Sequence, residues 1–226
     1  MTRPTTLVVD ELSKAFGRRV LWEGLSFTVE PGSMVALTGR SGSGKSTLLN
    51  CVGLLEPVTA GRIVVDGADL TRFGRRRTRQ FRRDALGYLF QNYALIDNAS
   101  IDENLAVVAR GRGRASRRAA FDTALEQVGL AGRGGEPVYQ LSGGEQQRVA
   151  LARLVVKAPS VVLADEPTGA LDHDNADMVV ASLRSFAEGG ATVVVATHSE
   201  QVAAACDRRV DLDGVRTEGL TTSIGA

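Results

Sequence analysis

The amino-acid sequence predicts an α/β fold: a parallel sheet, an antiparallel β flank, and a helical subdomain inserted into the core. Three observations lead there. Short β-branched runs bounded by Gly, Pro or Asp recur along the chain, as buried strands do. Later in the chain these runs alternate with helix-like stretches, the pattern of a parallel sheet joined by helical crossovers. From about Asn92 to Pro159 the pattern becomes helix after helix, with no convincing strand.

The candidate strands are Leu7 to Val9, Leu25 to Val29, Met34 to Thr38, Ile63 to Val65, Leu86 to Phe90, Val161 to Ala164 and Val193 to Ala196. Several are apolar throughout, which suits burial on both faces. The earlier ones suggest the antiparallel flank. Helix-like stretches cover Lys45 to Gly53, Ile101 to Ala109, Ser116 to Gly129, Gly143 to Lys157 and Asn175 to Ala187. Residues 1–91 and 159–226 then form the α/β core and 92–158 the helical subdomain, within one domain of 226 residues. Neither an internal repeat nor a long linker divides the chain.

Composition sets few limits on partners. The formal net charge of +1 gives no general polyanion signal, although Arg far outnumbers Lys and clusters locally. No apolar run approaches the roughly 20 residues that cross a bilayer. The start, MTRPTTLVVDEL, has no signal-peptide core, so a cytoplasmic protein is expected. Cys51 and Cys206 have neither metal-ligand spacing nor the density of a disulfide scaffold, and read as small buried apolar residues.

Gly39-Arg40-Ser41-Gly42-Ser43-Gly44-Lys45-Ser46 fits the phosphate-binding pattern G-x-x-x-x-G-K-[ST], after the strand MVALT and before a helix. The glycines let backbone N–H groups turn towards phosphate oxygens, and the helix N-terminus adds partial positive charge. Lys45 is placed to reach the β and γ phosphates and Ser46 to hold Mg²⁺. Thr47, beside Ser46, is a further candidate nucleotide contact. The motif alone says only nucleoside triphosphate.

Val161-Val162-Leu163-Ala164-Asp165-Glu166 is an apolar strand ending in two acids, as a Walker B segment is. Asp165 is the candidate Mg²⁺ ligand, and Glu166 the candidate base that polarises the attacking water. His198, one residue after Thr197 at the end of another buried-type strand, is placed to contact the γ-phosphate and orient that water; a core or capping histidine is the bland alternative.

Leu141-Ser142-Gly143-Gly144-Glu145-Gln146-Gln147-Arg148 resembles the signature sequence of the ABC transporter ATP-binding family. Gln91, after LGYLF, resembles its Q-loop, and Ala170-Leu171-Asp172, after Pro167-Thr168-Gly169, its D-loop. The resemblance covers nearly the whole chain. It implies ATP and Mg²⁺ as ligands, with Gln91 touching both nucleotide and metal. Phe16 stands where the family usually has an aromatic ring on the adenine; Phe keeps the stacking face. Ser142 is a good N-cap, and the glycines open a helix end that suits an anion.

In the family the signature of one subunit closes over the ATP of the other, so the resemblance implies a homodimer around two ATP molecules, with Asp172 at the seam. It also implies a separate transmembrane permease subunit, docked around Gln91 to Glu103, and a place on the inner face of the cell membrane. No nucleic-acid partner is expected. LFQNYALIDNASIDENLAVVA and PTGALD look most like the lipoprotein-release, macrolide-export and antimicrobial-peptide-export group. That favours export or extraction of a peptide or lipid-linked substrate; a regulatory ATPase without cargo and an amino-acid-type importer stay open. Two arginine clusters, Arg72 to Arg83 and Arg110 to Arg118, read as solvated faces, with anionic lipid or an acidic loop of the membrane partner as the alternative.

Overall fold

The computed structural model describes residues 4–109, 113–169 and 173–214. In chain order the elements are β1 (Leu7–Phe16), β2 (Arg19–Val29), β3 (Met34–Thr38), α1 (Lys45–Val52), β4 (Ala60–Val65), β5 (Ala68–Asp69), α2 (Arg75–Asp84) and β6 (Leu86–Leu89). There follow α3 (Ile101–Ala106), α4 (Arg114–Gln127), α5 (Gly143–Lys157), β7 (Val161–Asp165), α6 (His173–Glu188), β8 (Thr192–Ala196), α7 (Glu200–Ala204) and β9 (Arg208–Asp211).

Two sheets carry the fold. One is antiparallel in the order β2-β1-β4-β5; the other is parallel in the order β6-β7-β8-β3-β9. In β8, Val193 and Val195 belong to one core while Val194 and Ala196 belong to the other, so the parallel sheet is dry on both faces. That explains its unbroken apolar runs. The first core takes α3 to α6, and the second takes α1 and the antiparallel sheet. Fully burying one such side chain contributes about 1.5–3 kcal/mol, so both layers hold the central strands.

Several elements differ from the sequence reading. β1 runs past Val9 to Phe16 because a bulge at Glu11 (φ +48) shifts its register and breaks the alternation. Opposite the bulge a Cβ on Gly61 would stand 2.3 Å from the Glu11 carbonyl oxygen, so β4 closes on β1 only with glycine there. Helix α2 was not expected from periodicity, since Phe81 is its one buried residue. β5, α7 and β9 are also additional; they are short, and β9 is largely exposed. Cys51 is buried, its thiol pushed up to about 11 by that burial, whereas Cys206 is only half-buried.

Between β6 and β7 the described residues hold α3, α4 and α5, with α5 packed on both of the others and on β6. The contact with β6 is tight. A Cβ on Gly87 would come within 2.6 Å of Pro159 Cγ and 2.7 Å of Leu154 Cδ2. Gly87→Ala is therefore expected to destabilise the chain by about 2 kcal/mol through overpacking. Urea unfolding should show a lower midpoint at an unchanged slope.

Candidate nucleotide site

β3 ends at Thr38, and the chain turns through Gly39 (φ +134), Gly42 (φ +78) and Gly44 (φ +99) before α1. These backbone angles favour glycine. Space demands it as well: a Cβ on Gly44 would lie 2.7 Å from Trp22 Nε1, and one on Gly39 would lie 2.9 Å from Ser43 Oγ. Trp22 is fully buried with no hydrogen-bond partner for its indole N–H, and its ring forms a wall behind the loop. Lys45 Nζ donates to the carbonyls of Gly39 (2.7 Å) and Arg40 (3.2 Å), folding the ammonium back over the loop.

The parallel register brings the acidic strand end alongside. Asp165 lies opposite Ala196, and Ala196 opposite Leu37, so β7, β8 and β3 finish at one edge. There Ser46 Oγ donates to Asp165 Oδ1 at 2.9 Å. Burial raises the pKa of Asp165; the Ser46 hydrogen bond opposes this, neighbouring Glu166 adds to it, and Lys45 works against it. Glu166 is held at φ +46, uncommon for a side chain of its kind, by its N–H bond to the Ala196 carbonyl at 2.9 Å. Its Oε2 sits 2.8 Å from His198 Nδ1 and accepts the His198 backbone N–H at 3.3 Å.

These groups border one cleft of about 490 Å³. It collects Phe16, Ser41, Gly42, Gly44, Lys45, Ser46, Thr47, Gln91, Glu166 and His198. Gly39 and Ser43 form the body of the loop beneath it, and Asp165 is reached through Ser46. Phe16 is 49 % exposed at the end of β1, with Lys14 Nζ 4.4 Å from its ring centroid.

Ser142, Gly143 and Gly144 do not line this cleft. Ser142 caps α5 in a reciprocal box: its Oγ accepts the Glu145 N–H at 3.3 Å, while Glu145 Oε2 accepts the Ser142 N–H at 2.8 Å. Arg133 pairs with the other oxygen of Glu145. The Arg133 bond, then the Ser142 N–H, hold the Glu145 carboxyl down at about 2. Asp172 lies outside the described residues.

A family model described as ABC transporter matches residues 22–169. The chain belongs to the ABC transporter family. It is 40% identical to an uncharacterised ABC transporter ATP-binding protein of Mycobacterium tuberculosis (strain ATCC 25618 / H37Rv), covering 96% of this chain and 90% of that protein. It is 42% identical to the lipoprotein-releasing system ATP-binding protein LolD of Shewanella frigidimarina, over 88% of this chain and 85% of the relative. Among solved structures it resembles a dimeric ATP-binding cassette in a post-hydrolysis state, bound to ADP and Pi. That match has a TM-score of 0.84 and 32% identity, covering 94% of this chain and 96% of the other.

In this ABC cassette, three residues beyond the candidate site residues named from the sequence shape the site. Arg19 and Leu21 line the cleft from β2, and Arg19 Nη2 donates to the Gly42 carbonyl at 3.3 Å. Gln147, 2% exposed, donates from Nε2 to the Pro167 carbonyl and so joins α5 to the loop after β7. Arg19 carries no local signal, because only the β1–β2 hairpin brings it over the loop. Gln147 had one: an amide on the apolar side of a helix needs a buried partner. Gly44→Ala sets a methyl group against Trp22 and strains a left-handed backbone. Titration with a fluorescent ATP analogue should show affinity reduced tenfold or more, at about 2 kcal/mol of strain and contact.

Proposed function

We propose that this chain is the ATP-binding and ATP-hydrolysing subunit of a transporter, working as a pair around two nucleotides on a separate membrane subunit. The observation that carries the reading is the meeting of Lys45, the Ser46–Asp165 pair and the Glu166–His198 pair along one sheet edge. Glycine-loop N–H groups would bind phosphate oxygens, and Lys45 would exchange its two carbonyl partners for the β and γ phosphates. Phe16 offers an exposed ring face to the adenine at the mouth of the cleft.

The donor set fits Mg²⁺. Ser46 and Asp165 supply a hydroxyl and a half-buried carboxylate 2.9 Å apart, and Gln91 borders the same cleft; hard oxygen donors are what this cation takes. The raised pKa of Asp165 marks a desolvated carboxylate, a cost that a divalent cation offsets. Mg²⁺ held by Ser46, Asp165 and Gln91 would supply neutralisation of phosphate charge. Glu166 would accept the proton of the attacking water. His198, through ring and backbone, fixes the Glu166 carboxylate and orients the water.

The opening of α5 supports the pairing. Ser142 and Glu145 satisfy each other, while the first-turn N–H groups of Gly143 and Gly144 remain for an anion at the positive end of the helix. The cleft of the same chain does not include them, so a nucleotide on a second copy is the natural partner. A dimeric solved relative accords with this.

Beside the Q-loop a second cavity of about 180 Å³ is walled by Tyr88, Phe90 and Tyr93 on one side and Arg153, Leu154 and Lys157 on the other. Tyr88 and Phe90 stack at 3.9 Å, and Arg153 Nη1 donates to the Ala94 carbonyl at 2.7 Å, holding the loop. This aromatic and cationic groove is the docking place we assign to the membrane subunit. No described helix is long and apolar enough to cross a membrane, so a transport path would belong to that partner. The LolD relative is named for lipoprotein release and another, MacB of Shigella flexneri, for macrolide export, which favours extraction or export of a lipid-linked or peptide substrate.

Glu166→Gln should retain ATP binding, accumulate an ATP-bound dimer on gel filtration, and hydrolyse ATP at least about a hundredfold more slowly. Normal turnover by this variant would remove Glu166 from the role of base.

A further inference from the structure

The arginine-rich helix α2 takes no part in the nucleotide chemistry. At 100° per residue, Arg82, Arg75, Arg79, Arg83 and Arg76 fall within an arc of roughly 120°, on the side opposite Phe81, which anchors the helix. All five are exposed. Among the described residues Arg75, Arg76 and Arg79 make no ion pair, and Arg83 pairs with adjacent Asp84. Arg77, outside the arc, lies 5.8 Å from the ring centroid of Phe73.

Taken alone, this arrangement is electrostatically unfavourable. Three guanidinium groups occupy the first turn, where the helix end is already partially positive, and neither an acid nor a capping side chain accompanies them. Arg75 with Arg79, Arg76 with Arg79, and Arg79 with Arg82 and Arg83 are like-charge neighbours at three- or four-residue spacing, each mildly destabilising. Apposed negative charge would relieve every one of these terms.

We propose that the outer face of α2 rests on the anionic phosphate headgroups of a membrane. The five cations cover a convex ridge, which meets a plane of laterally mobile charges well. A folded acidic partner, by contrast, has to present carboxylates spaced to match the ridge. Positive charge alone, without fixed geometry, is enough for such a surface, at about 1 kcal/mol per Lys or Arg near it. Position agrees: α2 borders the groove assigned to the membrane subunit, where Arg82 is a wall residue and Lys157 Nζ donates to its carbonyl at 2.7 Å. This last point rests on the groove reading, whereas the charge argument stands without it.

Flotation of the full chain with vesicles separates the two. Wild-type protein should bind vesicles of phosphatidylcholine with phosphatidylglycerol, ignore phosphatidylcholine alone, and be released by high salt. Arg75→Gln/Arg76→Gln/Arg79→Gln should partition roughly a hundredfold more weakly, at about 1 kcal/mol per charge removed. Its melting temperature should hold or rise, because Gln keeps helix propensity and the repulsions are gone. The corresponding triple Lys variant should retain binding, and ATP hydrolysis, read in the same samples, should be unchanged in both. Equal binding to neutral vesicles, equal binding by the Gln variant, or loss of binding by the Lys variant would overturn the proposal. Retention on an immobilised acidic peptide with no vesicle binding would also overturn it. Absent ATP hydrolysis by the wild type would instead count against the catalytic reading alone.

Discussion

The nucleotide cleft depends on the dry parallel ladder of β7, β8 and β3. These strands are apolar on both faces, and sequestered backbone groups can be satisfied only by in-register pairing. The register sets Leu37, Ala196 and Asp165 in one row, so the glycine loop, the acidic pair and His198 emerge at a common edge. A slip of one residue in β7 would move Asp165 away from Ser46 and turn its apolar side chains to the wrong core. Hydrophobic burial thus sets the position of the polar chemistry.

A second constraint acts at the start of α5. Ser142 and Glu145 cap this helix end mutually, and Glu145 is tied to Arg133. Gln147 then links the same helix to the loop after β7 through a buried bond to Pro167. Any movement of α5 is therefore felt at the loop that follows Glu166. The groove walled by Arg153, Leu154 and Lys157 lies along the same helix, so one element spans the proposed phosphate contact, the acidic loop and the proposed membrane-subunit contact. That continuity is a physical route by which nucleotide and membrane subunit could share one coupling energy.

What the sequence disclosed follows from where the physics is local. The strand into Gly39, the glycine loop and the acidic pair are readable because buried strands need apolar runs and phosphate needs glycines and a helix start. α5 was legible from its cap and its apolar spacing. The remainder depended on distant partners. Trp22 reads as an ordinary hydrophobic residue until β2 packs behind Gly44, and Arg19 becomes a cleft residue only through the hairpin. β1 looked short because its bulge breaks the alternation. α2 was hidden because a helix with one buried side chain leaves no periodic trace.

In the proposed pair, each working site takes the glycine loop from one chain and the Ser142–Gly144 helix end from another. Two variants distinguish the halves: Lys45→Ala, which spoils the loop, and Gly143→Asp, which puts negative charge at the helix end. Each alone should fail to hydrolyse ATP, because both of its sites contain the defect. Mixed dimers contain one site with both halves intact, so mixing should restore hydrolysis to as much as about a quarter of the wild-type rate, from random pairing of two-fold dimers. A Gly143→Asp chain that hydrolysed ATP at the full rate by itself, or a mixture no more active than its parts, would rule out a site shared between two chains.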